Sequence, residues 1–190
     1  SAFARLELIR LLDEGLPFTV ASARSVASMI PILEGVPLRL PVIEFNGTMA
    51  THLETGDREF CHVIESDAAR AAAEAGMRIG TTPFVSTGAP NASGDALYAP
   101  SVRNEGMEQY FANRVGAGDY RLRPGAAIEE GLAADVTCLT FIDRQDRLAP
   151  LERLFADRFP GTFYMSFFEN WYAPGWWWLT LHPSLGTKAN

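Results

Sequence analysis

The stretch Phe-Thr-Val-Ala-Ser-Ala-Arg-Ser at residues 18–25 decides the fold, because an apolar run ends there at a small hydroxyl residue, Ser22, and a helical pattern follows. Residues 17–21 are short and apolar, as expected of a strand that is buried on both faces. In an open parallel α/β sheet, ligands bind beyond the carboxyl ends of the strands, where loop amides and helix N-termini attract anions. Ser22 is therefore placed to hold a phosphate. The alternative is that a hydroxyl residue stands here only to cap the next helix.

The segments around this stretch alternate between helix and strand. Apolar spacing predicts helices over residues 3–12 and 26–33, the second bent or ended near Pro31, and apolar runs predict strands at 17–21 and 41–45. Asn46-Gly47 then reads as a tight turn. This alternation predicts a parallel α/β sheet, and short alternating runs over 48–63 predict an antiparallel hairpin at its margin.

The segment after residue 63 has a different layout. Its patterns predict helices at 66–76, 104–115, 125–132 and 148–159, strands at 83–86, 96–99 and 136–142, and a hairpin of 162–168 with 176–181. Such a mixture indicates an α+β domain in which helices cover one face of an antiparallel sheet. We predict a partial Rossmann-like core over 1–62, an inserted domain over 63–182, and a return to the core over 183–190.

Composition limits the classes of partner. A net charge of -7 argues against nucleic-acid binding, which needs clustered Lys and Arg, and no stretch resembles a targeting or membrane-spanning segment. The two cysteines, Cys61 and Cys138, lack metal-ligand spacing and favour free thiols in a reducing cytoplasm. The three histidines lack ligand spacing too, so we predict no metal site within the chain.

Three phrases together resemble the haloacid dehalogenase superfamily, and most closely its Cof-type phosphatases. They are FTVASARS at 18–25, LPVIEFNG at 40–47 and LGTKAN at 185–190, in that order along the chain. The resemblance spans essentially the whole sequence. It implies a Rossmann-like core segment and a type 2 cap inserted after the Asn-Gly hairpin, with hinges near residues 63 and 182 and with both ends of the core truncated.

The resemblance also implies roles for individual residues. Ser22 would bind the transferring phosphoryl group through its hydroxyl and backbone, and Lys188, the chain's only lysine, would neutralise the phosphate and the nucleophile. Ser22 replaces the family's commoner Thr and keeps the hydroxyl. The other matching positions line the same mouth and are Ala23, Arg24, Asn46 and Gly47.

Several of these matching positions have a structural alternative. A structural salt bridge is the favoured role for Arg24, and Asn46 stands equally well in a tight turn because it tolerates the geometry. Ala23 replaces the family's usual Gly, which restricts the backbone at that point.

The resemblance places the catalytic carboxylates outside this sequence. The family's nucleophile and general acid lie in an Asp-x-Asp motif, here upstream of Ser1, and its metal-binding acidic motif lies downstream of Asn190. We therefore expect the complete protein to be a cytoplasmic, Mg²⁺-dependent phosphatase of small phosphorylated metabolites such as sugar phosphates. The 190-residue chain, which lacks the nucleophile and the Mg²⁺ ligands, is expected to be inactive alone.

The most unusual composition is the aromatic cluster over residues 163–178. Alternation in a hairpin sends half of these side chains to each face of the sheet, so that one face packs on helices and the other faces either the cleft or a partner. Core packing is the expected role for most of them. The alternative function is a non-catalytic binding or oligomerisation module that uses this hairpin as its interface, and the sequence leaves a homo-oligomer open.

Overall fold

The computed structural model describes residues 2–187 and holds two β-sheets with helices packed on them. The helices are α1 Ala2–Asp13, α2 Val26–Leu33, α3 Ser66–Arg78, α4 Glu105–Gly116, α5 Ile128–Leu132 and α6 Gln145–Arg158. The strands are β1 Val42–Glu44, β2 Met49–Thr51, β3 Arg58–Cys61, β4 Phe84–Thr87, β5 Ala96–Ala99, β6 Leu122–Pro124, β7 Val136–Asp143, β8 Phe163–Glu169 and β9 Trp177–Pro183. The fold is mixed α/β, as the sequence predicted.

The first sheet has the order β1-β2-β3 and is antiparallel throughout. The predicted strand at 17–21 is wrong as a full strand, because it forms only a parallel bridge between Ala21 and Ile43. The ladder stays short because Pro41, two residues before Ile43, has no amide N–H to donate to the facing segment. The extended segment still runs parallel to β1 and delivers Ser22 to the end of that strand.

The helix α2 begins at a cap that the structure assigns to Ser25. The Ser25 hydroxyl accepts a hydrogen bond from the Ser28 amide, and Val26 and Met29 are buried on the inner face of the helix. Pro31 lies inside α2, which continues to Leu33. Ser22 is therefore not the helix cap, and the capping alternative for Ser22 is excluded.

The second sheet has the order β6-β5-β4-β7-β9-β8 and is antiparallel except for the β5–β6 pair. One face packs on α3, α5 and α6 and carries the main core, in which Phe141, Phe155 and Leu179 are fully buried. The approach of α3 is close, since a Cβ at Gly76 would lie 2.3 Å from the Phe141 ring. The sequence predicted helices on one face only, but α4 covers part of the other face through Met107.

A buried ionic cluster joins the two sheets. The Arg58 guanidinium donates to both carboxylate oxygens of Asp95, at 2.7 and 2.6 Å, and lies 3.6 Å from the carboxylate of Glu44. All three side chains are at most 3% exposed. The domain boundaries near residues 63 and 182 stay predictions, but this cluster connects the end of β1 to the loop before β5.

Two further features bear on the sequence predictions. Cys61 is half-buried and Cys138 is buried, and both carry free thiols as predicted. Within residues 2–187, no helix has both the length and the apolar character needed to span a membrane.

Candidate functional site

A cleft of about 520 Å³ lies between two walls that come from the two halves of the fold. The wall that we call the core wall consists of residues 22–25 and Phe45. The wall that we call the cap wall comes from α4, from the segment before β6, and from the β8–β9 hairpin. Its residues are Tyr110, Asn113, Arg114, Arg121, Phe168, Asn170, Trp171, Tyr172 and Trp178.

Ser22 lies at the end of the extended segment, where the backbone fixes it. Its amide donates to the Ile43 carbonyl at 2.9 Å, and its carbonyl accepts from the Asn46 amide at 3.0 Å. Its hydroxyl oxygen accepts from the Arg24 amide at 3.1 Å. Because the Ser22 amide is already engaged, it is not free to donate to a ligand in the cleft, contrary to the expectation that hydroxyl and backbone would both bind. The hydroxyl hydrogen is the group of Ser22 that can donate there.

Arg24 follows on the core wall with an exposed side chain. Its backbone carbonyl accepts from the Phe45 amide at 3.2 Å, which holds the turn against the end of β1. No carboxylate among the described residues lies within 4.0 Å of its guanidinium, so the structural salt bridge favoured for Arg24 is not formed there. The side chain is available to the cleft.

The Asn46-Gly47 turn lies next to Ser22 but does not line the cleft. Asn46 has φ 61° and ψ 20°, the left-handed geometry that Asn tolerates, and Gly47 has φ 110°. A Cβ on Gly47 would lie 2.2 Å from the Thr187 carbonyl oxygen. The turn and the last described residue are thus in direct contact, while Lys188 lies outside the described residues and its role stays a prediction.

Two arginines dominate the cap wall. Arg121 is buried and donates to Asp119 through Nε at 2.9 Å and Nη2 at 2.8 Å, and its guanidinium lies 5.7 Å from the centre of the Phe45 ring. Arg114 donates to the Ser28 hydroxyl in α2 at 2.7 Å. Each arginine therefore reaches from the cap wall to the core wall or to the helix behind it.

The charge state of this pair follows from the balance of burial and pairing. Burial lowers the pKa of Arg121, but the hydrogen bonds and charge of Asp119 outweigh it and raise the pKa above the ordinary value. Burial likewise raises the pKa of Asp119, and its pairing with Arg121 and Arg114 brings the pKa below the ordinary value. Both groups are ionised at neutral pH, so Arg121 presents a fixed positive charge.

The aromatic hairpin divides between the two faces as the alternation predicted. Phe167 and Trp177 pack on the main core, whereas Phe168 and Trp178 line the cleft. Phe168 and Trp178 are register partners across β8 and β9. The second face therefore contributes to the cleft.

The described residues do not fit a metal ion. Between residues 2 and 187, no group of three or more His, Cys, Asp and Glu side chains is arranged to hold one. What the cleft supplies is a hydroxyl donor, guanidinium groups and aromatic faces, a set suited to an anionic ligand.

Comparison with known proteins identifies the family. A family model for haloacid dehalogenase-like hydrolases matches residues 1–114, which is more than half of the chain. The chain belongs to this family. A search of curated protein sequences finds no significant match to this haloacid dehalogenase-like hydrolase.

Solved structures show the same fold. A haloacid dehalogenase-like hydrolase from Bacteroides thetaiotaomicron superposes on all of the chain with a TM-score of 0.73 at 16% identity, and 66% of its own length is covered. A phosphatase of the same superfamily and organism gives a TM-score of 0.68 at 17% identity, covering 100% of this chain and 62% of that one. A subclass IIB sugar phosphatase gives 0.65 at 17% identity, covering 98% and 65%. The chain thus spans about two thirds of the length of these structures.

Sequence reasoning missed the cap-wall arginines, Arg114 and Arg121. Nothing in the local sequence separates them from the chain's other arginines, because their role depends on where α4 and the segment before β6 pack.

Proposed function

We propose that the protein containing this chain is a phosphatase of small phosphorylated metabolites and that the cleft is its active site. The observation that carries this proposal is the placement of Ser22 and three arginines around one cavity whose lining includes no Asp or Glu among the described residues. A phosphate needs hydroxyl and cationic donors held in place, and membership of a hydrolase family supplies the reaction class.

The core wall would hold the transferring phosphoryl group. The Ser22 hydroxyl would donate to a phosphoryl oxygen, and Arg24 would contribute charge from the same turn. Lys188, which lies outside the described residues, would neutralise charge on the phosphoryl group, as the family resemblance implies. The nucleophilic carboxylate belongs to the complete protein, where an Asp-x-Asp motif is expected upstream of Ser1, and Mg²⁺ would bind to carboxylates outside this chain.

The cap wall would select the leaving group. Trp178 and Phe168 line the cleft, and aromatic side chains there suit a sugar or another ring; one of the solved relatives is a sugar phosphatase. The bond from Arg114 to Ser28 joins the cap wall to α2, and it would hold the cap closed during movement about hinges near residues 63 and 182. The free thiols of Cys61 and Cys138 support a reducing compartment, the cytoplasm.

The proposal is tested with the complete protein, Mg²⁺, a generic phosphomonoester and a broad panel of phosphorylated metabolites. We expect phosphate release, and we expect Ser22→Ala to lower kcat/KM by about tenfold to a hundredfold because a fixed donor to the phosphoryl group is lost. The control is Ser101→Ala, since Ser101 is exposed and does not line the cleft. Absence of activity across the whole panel would refute the proposal.

The same preparation addresses the non-catalytic alternative. Trp171 and Tyr172 at the tip of the β8–β9 hairpin are 91% and 85% exposed, so an oligomer built on this tip would bury them. A stable dimer whose tryptophan fluorescence ignores phosphorylated metabolites would favour a binding module over an enzyme.

A further inference from the structure

Three buried hydrogen-bond donors in the described part of the chain have no partner. They are Arg114 Nε, Arg121 Nη1 and Trp178 Nε1. All three belong to residues of the cap wall. Because folded proteins satisfy nearly all buried polar groups, three unsatisfied donors around one cavity indicate a ligand that completes them.

The chemistry of these donors defines the ligand group. Guanidinium and indole nitrogens donate hydrogen bonds and cannot accept them, so the ligand must supply acceptor oxygens. The nearby carboxylate of Asp119 is already engaged by Arg121, at 2.8 and 2.9 Å, and lies 3.8 Å from Arg114. Two guanidinium groups thus share one carboxylate, which leaves an excess positive charge that favours an anion.

The geometry of Arg121 makes this a built site. Its side chain is 3% exposed, and its Nε and Nη2 are fixed by Asp119, so Nη1 has one orientation. Arg114 is held in turn by its bond to Ser28. These donors lie on the cap wall, whereas Ser22 lies on the core wall. They would therefore bind a different part of the ligand from the part that Ser22 binds.

We infer that the leaving group of the substrate carries an anion of its own, a second phosphate or a carboxylate, which Arg114, Arg121 and Trp178 bind across the cleft from Ser22. This inference rests on the proposed function and names its substrate class. The protein as a whole does not attract anions, because the chain has a net charge of -7. A preference for a doubly anionic ligand therefore requires a local site.

The test compares three six-carbon probes in equilibrium binding to the complete protein. They are glucose 6-phosphate, 6-phosphogluconate and glucose 1,6-bisphosphate, measured by tryptophan fluorescence in EDTA so that metal-dependent turnover is suppressed. We expect the two probes with a second anion to bind about tenfold more tightly than glucose 6-phosphate. The carboxylate and phosphate arms show which anion the site prefers.

Variants assign the difference to the cap wall. Arg114→Gln and Arg121→Gln should each weaken the doubly anionic probes by about tenfold and glucose 6-phosphate by less than about threefold. Arg123→Gln is the matched control, because Arg123 bonds to the Tyr120 carbonyl and does not line the cleft. Arg121→Gln removes the partner of Asp119 and could lower the melting temperature of the protein. In that case the binding comparison is made with Arg114→Gln, which leaves the Arg121–Asp119 pair in place.

The outcomes separate this inference from the proposed function. Equal affinity for all three probes would overturn the inference, because the second anion would then gain nothing from the cap wall. Equal loss for all three probes in the arginine variants would also overturn it, because the arginines would then hold the first phosphate. If Ser22→Ala weakens every probe alike, the phosphate site of the proposed function stands even when the second anion gains nothing. If the second anion gains affinity but Ser22→Ala changes nothing, the inference stands and the proposed function fails.

Discussion

Removing His182 should change how the stability of the protein depends on pH. His182 is 3% exposed at the end of β9, with weak contacts to Thr48 at 3.5 Å and to the Cys138 thiol at 3.8 Å. Burial lowers the pKa of His182 from 6.5 to about 4, because the charged imidazolium loses its hydration. The folded protein therefore binds the proton less readily than the unfolded chain.

The magnitude follows from linkage. A shift from 6.5 to about 4 corresponds to roughly 3 kcal/mol when fully expressed. The neutral form is favoured in the fold, so this stability is fully present above pH 6.5 and is lost as the pH falls toward 4. By pH 5 about 2 kcal/mol of the free energy of unfolding should be gone.

The assay is urea unfolding of the wild type and His182→Leu at several pH values between 8 and 4.5. Groups that both proteins share cancel in the comparison, so the wild type should lose about 2 kcal/mol more than the variant between pH 8 and 5. His52→Gln is the control, because His52 follows directly after β2 and its partly exposed ring is paired to Glu59. A constant difference between wild type and His182→Leu at every pH would refute the reasoning.

Two further predictions concern the contacts that hold the site in place. Arg58→Met should lower the free energy of unfolding by about 3–5 kcal/mol, because it leaves two buried carboxylates without their cationic partner. In the same urea titration, the control Arg123→Gln should lower it by less than about 1 kcal/mol. Equal losses of unfolding free energy in these two variants would contradict a stabilising role for the buried ionic cluster. Gly47→Ala should lower both the melting temperature and the activity of the complete protein, since its Cβ would collide with Thr187. Gly118→Ala is the control, because Gly118 also has a positive φ of 62° but no atom lies within 4 Å of the added Cβ. Equal losses of activity in Gly47→Ala and Gly118→Ala would contradict a role for the contact between Gly47 and Thr187.

Periodic sequence signals predicted most of the elements. The hairpin of β8 and β9 was predicted with its alternation, because side chains of period two must divide between two faces. The strand expected at 17–21 did not form a full ladder, because Pro41 on the facing segment lacks the amide donor that the next ladder bond needs, and hydropathy does not register this. Strand β6 was missed because three residues, one of them Pro124, are too few to show a period.

Some residues of the candidate site could be predicted from local sequence, and others depend on tertiary packing. Ser22 and Arg24, which line the cleft, were predicted as site residues because a short phrase at a strand-to-helix transition carries both local geometry and a family resemblance. Arg114 and Arg121 were not, because their burial depends on how α4 and the segment before β6 pack over the cleft. The unsatisfied donors of these residues exist only in the folded arrangement.

The most direct measurement is a crystal structure of the complete protein with orthovanadate, a phosphate analogue that occupies phosphoryl-transfer sites. We expect vanadate in the cleft, with an oxygen about 2.7–3.0 Å from the Ser22 hydroxyl oxygen. Vanadate bound elsewhere, with Ser22 out of hydrogen-bond reach, would contradict the assignment of this cleft as the phosphate site.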